Sequence, residues 1–449
     1  MISKELLKKY DIPAPRYTSY PTVPYWSDSP TSQEWIESLK RATTKSDMSW
    51  SMYVHIPFCE TLCTFCGCNT TITRNHDRGT PYVDVLLREL RTYLRHLPEL
   101  RQKPLRQIHL GGGTPTFLSP NELKRLMDGF ADLNRDEQYF EGSVEVDPRR
   151  TNDRHLEVLR ECGFNRVSLG VQDFDPEVQR LVHRIQPFEI TRDLTASART
   201  MGYTSVNFDL IYGLPKQSLK TMGKTIAQTV ELRPDRIALY SFALVPWIKP
   251  AQRLFKDSDL PVGAEKRELY EASYEMLLKA GYIEIGMDHF ALPSDALAIA
   301  QREHTLHRNF MGYTDVRTDV LLGLGVSSIS ESPDCFHQNE KVLPVYERQA
   351  NQDLIATFRG HKLNEMDRSR REQILEFMTT GQVELNDEGQ EADVRQFLGS
   401  LIEDQLITVG NRRLKITESG KPFLRNACMA LDERLRLHKP EARVFSQAL

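Results

Sequence analysis

Cysteine is scarce in this sequence, at seven residues in 449, too few for a disulfide-stapled secreted scaffold. Long hydrophobic runs are missing too. Nothing approaches eighteen consecutive apolar residues, so no membrane span is expected. The charged opening stretch from Met1 to Lys9 lacks the apolar core of a secretory signal, and the expected compartment is the cytoplasm. Positive charge is not in excess: a formal net charge of -4 argues against a nucleic-acid binder held by bulk charge, while leaving room for a local basic pocket that takes a small polyanion. Solenoid repeats and low-complexity segments are absent. What remains, 40% hydrophobic and 27% charged residues, is a globular composition with ample core.

The few thiols are not scattered. Cys59, Cys63, Cys66 and Cys68 fall in one short stretch directly after the strand-like run of residues 51–56. So tight a cluster in a thiol-poor chain points to a metal centre rather than to disulfides. Four thiolates could close a tetrahedral zinc shell. Against that, Cys66 and Cys68 flank a single residue, and no second Cys/His pair follows at zinc-finger distance. A four-iron cluster held by the first three thiolates is the sharper reading, because it keeps one iron open to a further ligand.

Strand-like runs alternate with helical segments through the middle of the chain, the pattern of βα units around a parallel sheet, and the fold class is α/β. Six strands are predicted, at residues 52–56, 107–110, 142–146, 166–169, 205–211 and 236–240. Ser119-Pro120-Asn121-Glu122 is a capping box with proline at the first helical position, a clear helix start. In barrel-like folds chemistry gathers on the loops after the strands. The unusual residues sit there: the cysteines after the first strand, Gly111, Gly112 and Gly113 after the second, Glu145 at the end of the third, Gln172 after the fourth and Asp209 at the end of the fifth. Residues 1–48 form a proline- and aromatic-rich arm. After about residue 360 the pattern turns to helices with a hairpin, residues 406–409 and 414–416 around Gly410-Asn411, resembling a winged-helix-like unit whose expected use is packing. The predicted division is an arm at 1–48, the βα region with an extension at 49–360, and a mostly helical domain at 361–449.

The spacing Cys59-x3-Cys63-x2-Cys66 matches the signature of the radical S-adenosylmethionine (radical SAM) enzymes. Tyr53, His55, Pro57 and Phe58 before it, Phe65 before Cys66, and Cys68 and Asn69 after it make the chain similar to the oxygen-independent coproporphyrinogen III oxidases. Further likenesses run along the chain: residues 15–21 around Arg16, 111–116, 145–149, 170–174, 209–215, 286–291 and 425–429. The resemblance implies a partial (β/α)6 barrel, a [4Fe-4S] cluster on Cys59, Cys63 and Cys66, and S-adenosylmethionine on the fourth iron. Cys68 is implied not to be a ligand. It further implies two molecules of S-adenosylmethionine: one touched by Tyr53, Gly112, Glu145 and Ile329, the other by Phe65, Gly113, Thr114, Gln172, Arg184, Asp209 and Ala243. By chemistry, Arg184 suits the carboxylate, Asp209 or Glu145 the ribose hydroxyls or ammonium, and Gln172 either. Tyr53, Glu145 and Phe310 are the implied catalytic residues. Segments 309–313 and 323–329 look like active-site wall, with one departure: Met311 stands where the family has glutamine.

The implied reaction is radical oxidative decarboxylation of two propionates of coproporphyrinogen III to vinyls, giving protoporphyrinogen IX. It implies a tetrapyrrole substrate, an electron donor and an electron acceptor, with no nucleic-acid or membrane partner, and a monomer. Arg16, with Tyr17 and Tyr20, offers cationic and apolar contacts for the tetrapyrrole. Two relatives are the alternatives, a haem chaperone and a radical SAM methyltransferase that opens haem.

Overall fold

The computed structural model describes residues 2–247, 249–438 and 445–448. Twelve strands form its main sheet: β1 (Trp50–Ile56), β2 (Leu105–Gly112), β3 (Glu141–Val146), β4 (Phe164–Gln172), β5 (Ser205–Tyr212), β6 (Arg236–Ser241), β7 (Ile283–Gly286), β8 (His289–Ala291), β9 (Val320–Leu324), β10 (Ile329–Ser332), β11 (Cys335–Asn339) and β12 (Thr357–Lys362). Their order is β12-β11-β10-β9-β1-β2-β3-β4-β5-β6-β8-β7. The sheet is open at both edges, so the six βα units make a partial barrel and not a closed one.

All six predicted strands are present and pair in parallel. β1 is buried at every position, as expected of a parallel strand covered on both faces. Helices Gly79–His96, Pro120–Asp128, Asp153–Glu161, Phe188–Thr200 and Leu219–Leu232 cover the sheet between successive strands. The Ser119 box forms as expected: its hydroxyl accepts from the Glu122 amide while the Glu122 side chain returns to the Ser119 amide. One large apolar cluster joins these elements, from Trp35 and Trp50 to Phe164, Phe208 and Tyr346.

The sheet is larger than six strands. β9, some 260 residues after β1, pairs with it in parallel, and β10 to β12 continue it antiparallel. At the other edge β8 and β7 are antiparallel to β6. Apart from β9 these strands pair antiparallel, and most are short, which is why the pattern of parallel βα units did not include them. β13 (Gln382–Glu384), β14 (Ile407–Gly410) and β15 (Arg413–Ile416) form the C-terminal sheet with helices Glu365–Thr380 and Glu388–Phe397. The hairpin turn is Asn411-Arg412, one residue beyond the expected pair, with both residues at positive φ (52° and 54°), the geometry of a type I′ turn.

The arm corrects one expectation. Tyr17 and Tyr20 are 1% and 2% exposed and lie in a cluster with Phe377, Leu414 and Phe423 of the C-terminal domain. The Tyr17 hydroxyl donates to Asp432 Oδ2 at 3.1 Å. Neither ring faces the sheet mouth. Arg16 donates from both terminal nitrogens to Asp288, Nη1 at 3.1 Å. Although burial works against ionisation, Arg16 holds the Asp288 carboxyl far below its ordinary range. The guanidinium already has its carboxylate.

Candidate active site

The cysteine loop leaves β1 through Pro57 and is held by hydrogen bonds within itself and to its neighbours. The Thr64 amide donates to Val182 O and the Cys66 amide to Cys63 O, each at 3.1 Å, while Lys249 Nζ donates to Cys68 O at 2.8 Å. The sulfurs have distinct settings. Cys59 Sγ lies 3.4 Å from Thr114 Oγ1, and burial pushes its thiol up to about 11. Cys63 Sγ receives Arg149 Nη2 at 3.7 Å and Arg184 Nη1 at 3.6 Å. Cys66 Sγ accepts the Cys68 amide at 3.4 Å. Hydrogen bonding from Cys68, with help from Lys249 and Arg184, brings the Cys66 thiol down to about 6.

These thiols line a cavity of about 270 Å³ at the C-terminal ends of β2 to β6. Its floor is built on glycine. Gly112 has φ +112°, and a Cβ there would come within 2.8 Å of the His55 ring. A Cβ on Gly113 would meet Pro57 O at 2.7 Å, because the Gly113 amide donates to Ile56 O at 2.8 Å and draws the turn against the cysteine loop. Glu145 accepts the Gly112 amide at 3.1 Å and approaches His109 Nε2 at 3.3 Å. Against the push of burial, these bonds hold its carboxyl below the ordinary value. Gln172 sits at φ +67° where a bulge shifts the β4–β5 register, turning it into the cavity. Asp209 accepts from Ser168 Oγ at 2.8 Å and Asn207 Nδ2 at 3.0 Å; burial, then the nearby Glu145 charge, lifts its carboxyl to about 6.

A family model described as Radical SAM superfamily matches residues 53–228. The oxygen-independent coproporphyrinogen III oxidase of Pseudomonas aeruginosa is 40% identical over 442 residues, 96% of this chain and 95% of its own length. That of Escherichia coli K12 is 40% identical over 453 residues, 99% of this chain and 98% of its own. The solved structure of coproporphyrinogen III oxidase from Escherichia coli, described as a radical SAM enzyme, superposes with a TM-score of 0.90 at 39% identity, covering 97% of this chain and 99% of that one. The chain belongs to the oxygen-independent coproporphyrinogen III oxidase family.

Membership brings a [4Fe-4S] cluster and S-adenosylmethionine, and the residues suit both. Among the described residues no three His, Cys, Asp or Glu side chains converge on a single ion. The two guanidinia on Cys63 supply the sulfur hydrogen bonds that tune a cluster. Arg184 is 7% exposed, and its Nε has no hydrogen-bond partner among the described residues. Such an unpaired buried donor at a cavity wall suits an incoming carboxylate.

Eight sequence-predicted residues share this cavity with the three cysteines: Phe65, Gly112, Gly113, Thr114, Glu145, Gln172, Arg184 and Asp209. Tyr53 stands just behind, stacked on His109 at 5.8 Å with its hydroxyl 3.0 Å from His55 Nδ1. Phe310 meets Tyr53 edge-on at 6.1 Å. Ile329 and Ala243 lie outside the lining: Ile329 packs with Trp26 and Phe336, and Ala243 faces the neighbouring cavity. A bridge nevertheless ties Ala243 to Phe65, because Gln252 Nε2 donates to both carbonyls, at 3.2 and 3.3 Å. Met311 ends the tight turn between the short strands His307–Asn309 and Gly312–Thr314, its amide held by Asn309 Oδ1 at 2.9 Å.

Sequence reasoning missed Asp147, His109 and Gln252. Asp147 pairs with Arg149 and Arg184 at 2.6 and 3.2 Å and so aims both guanidinia at Cys63. Its position two residues after Glu145, on the strand-end loop, was the available signal. Gln252 had none, being a polar residue in the short 3-10 helix Pro250–Leu254.

Proposed function

We propose that the protein oxidatively decarboxylates two propionates of coproporphyrinogen III to vinyls, giving protoporphyrinogen IX. The observation that carries this is the single cavity in which Cys59, Cys63 and Cys66 meet Gly112, Glu145, Gln172, Arg184 and Asp209, in a chain that matches the oxidases over nearly its whole length. When bound, the cluster and S-adenosylmethionine supply a 5′-deoxyadenosyl radical able to take hydrogen from the propionate β-carbon, after which CO2 and one electron leave.

The protein's own part is positioning and shielding. Cys59, Cys63 and Cys66 hold the cluster in our reading, with Cys68 left as a hydrogen-bonding neighbour of Cys66. Arg184 takes the cosubstrate carboxylate, Asp209 a ribose hydroxyl, and Glu145 the ammonium or hydroxyls. Thr114 and Gln172 add polar contacts, and the glycine turn lets the backbone approach. Tyr53, backed by His109 and His55, and Phe310 form the wall nearest the reacting carbon. Two molecules of S-adenosylmethionine are proposed: Tyr53, Gly112, Glu145 and Ile329 serve one, and Phe65, Gly113, Thr114, Gln172, Arg184, Asp209 and Ala243 the other. The working form in this reading is a cytoplasmic monomer that takes electrons from a separate donor and passes them to a separate acceptor, without nucleic acid or membrane. Among the described residues no helix is long and apolar enough to cross a membrane. The division 1–48, 49–360 and 361–449 is kept as a proposal.

The test is an anaerobic reaction of the reconstituted protein with reductant, S-adenosylmethionine and coproporphyrinogen III, read by chromatography of the porphyrins. Protoporphyrin is the expected product. Unchanged coproporphyrin with tight haem binding would overturn the reading in favour of the chaperone, and haem loss with methyl transfer in favour of the methyltransferase.

A further inference from the structure

With Arg16 bound to Asp288, the tetrapyrrole carboxylates need another cation, and the structure has one in a second cavity. This cavity, about 620 Å³, lies between helix Lys4–Tyr10, the ends of β5 and β6, and residues 242–247 and 260–263. It adjoins the cofactor cavity through Ala243, whose carbonyl shares the Gln252 amide with Phe65. Much of its wall is apolar, with Phe242, Leu244, Leu260 and Phe445 in the lining. Cations enter it from two sides: Lys4 and Lys8 from the helix, Lys266 and Arg267 from helix Ala264–Lys279. Asp11 is the only carboxylate among the described lining residues. An apolar wall beside cations, next to the reacting centre, is the surface that a ring with carboxylate-tipped arms requires.

Lys266 is the inner cation. Gly213, at φ +85°, makes room for it, since a Cβ there would press on Lys266 Cε at 2.7 Å. Among the described residues its ammonium has one hydrogen-bond acceptor, Phe242 O at 2.9 Å, against three N–H groups to place. Burial lowers it to about 8, a cost that a carboxylate partner would reverse. Arg267 is already paired with Glu271 at 3.0 Å. Lys4 and Lys8 have no ion-pair partner among the described residues. We propose that this cavity receives a propionate arm of the tetrapyrrole, with Lys266 as its inner carboxylate partner and Lys4 and Lys8 guarding the entrance.

This rests on the function proposed above, and the experiment separates the two. Full-length reconstituted wild type, Lys266→Met, Lys266→Arg and Lys8→Glu are compared anaerobically for iron content, S-adenosylmethionine cleavage without substrate, KM for coproporphyrinogen III, and binding of the stable porphyrin coproporphyrin III. Lys266→Met is expected to weaken porphyrin binding and raise KM about tenfold, with iron content and cosubstrate cleavage unchanged. Lys266→Arg should restore most of the affinity, and the tetramethyl ester of coproporphyrin III should bind wild type and Lys266→Met alike. Lys8→Glu, an exposed change that cannot unfold the core, should raise KM about threefold. Wild-type KM and affinity in both Lys266→Met and Lys8→Glu would overturn the site alone. A wild type that neither binds nor converts the tetrapyrrole would overturn the functional reading and this site with it.

Discussion

The four thiols of the cysteine loop have the same chemistry and different neighbours. Cys59 is lifted to about 11 by burial and Cys66 brought to about 6 by its hydrogen bond with Cys68, so of these two Cys66 is the readier thiolate before any iron arrives. Cys59→Ser, Cys63→Ser and Cys66→Ser are each expected to abolish cluster assembly, whereas Cys68→Ser should keep it. Iron and sulfide analysis decides, and four irons retained in any of the first three would remove that residue from the ligand set. Asp209 is graded in the opposite sense. Its carboxyl is raised to about 6 from 3.8, so its contribution to stability is fully present only below 3.8 and is lost as pH rises through about 6. A charge kept at such a cost belongs to binding. Asp209→Ala should weaken S-adenosylmethionine binding by about 1 to 3 kcal/mol without loss of iron, and wild-type affinity should fall as pH drops through about 6. Calorimetric titration at two pH values measures both, and affinity unchanged by mutation and by pH would make Asp209 structural.

Elements carry the next level. Helix Gly79–His96 bolts the distant β9–β10 turn to the sheet through Glu89, which is 1% exposed. Its carboxylate accepts the Gly325 amide at 2.8 Å, the Tyr346 hydroxyl at 2.6 Å and Asn339 Nδ2 at 2.6 Å. From the same helix the Tyr82 hydroxyl donates to His55 O at 2.8 Å. Burial outweighs the three bonds and raises the Glu89 carboxyl to about 7. A raised acid stabilises below its ordinary value and loses that contribution as pH rises through about 7, here up to about 3 kcal/mol. Denaturant unfolding should therefore show a stability loss between pH 5 and pH 8 that Glu89→Gln abolishes; equal slopes in both proteins would contradict this. The arm belongs to the same scale. Because Tyr10, Tyr17 and Tyr20 complete the C-terminal core, deleting residues 1–24 should destabilise that domain rather than merely slow catalysis, and Tyr17→Ala alone should cost about 3 to 5 kcal/mol. Thermal melting tests it, and an unchanged midpoint in both variants would return the arm to a surface role.

Across the whole molecule, what could be read from the sequence was whatever is local. The six parallel strands, the Ser119 box and the hairpin all have signals within a dozen residues. The same holds for the cavity: the cysteines follow a strand, Gly112, Glu145 and Gln172 lie at the ends of theirs, and Asp209 lies in the second half of its own, so alternation brought them to one face. The rest depended on long-range pairing. β9 joins β1 from the far side of the chain, Asp288 takes Arg16 across some 270 residues, and Lys266 reaches its cavity only because Gly213 leaves space. Tyr17 and Tyr20 were misread for the same reason, since aromatic residues in an arm look alike whether they meet a ligand or a second core. In the proposed reaction this cavity directs hydrogen removal to the propionate β-carbon. The direct measurement is the mass of 5′-deoxyadenosine formed from coproporphyrinogen III deuterated at the propionate β-carbons, in the reconstituted wild type under reductant. One deuterium carried into 5′-deoxyadenosine, together with vinyl-bearing product, is expected; unlabelled 5′-deoxyadenosine accompanying the same product would contradict the account.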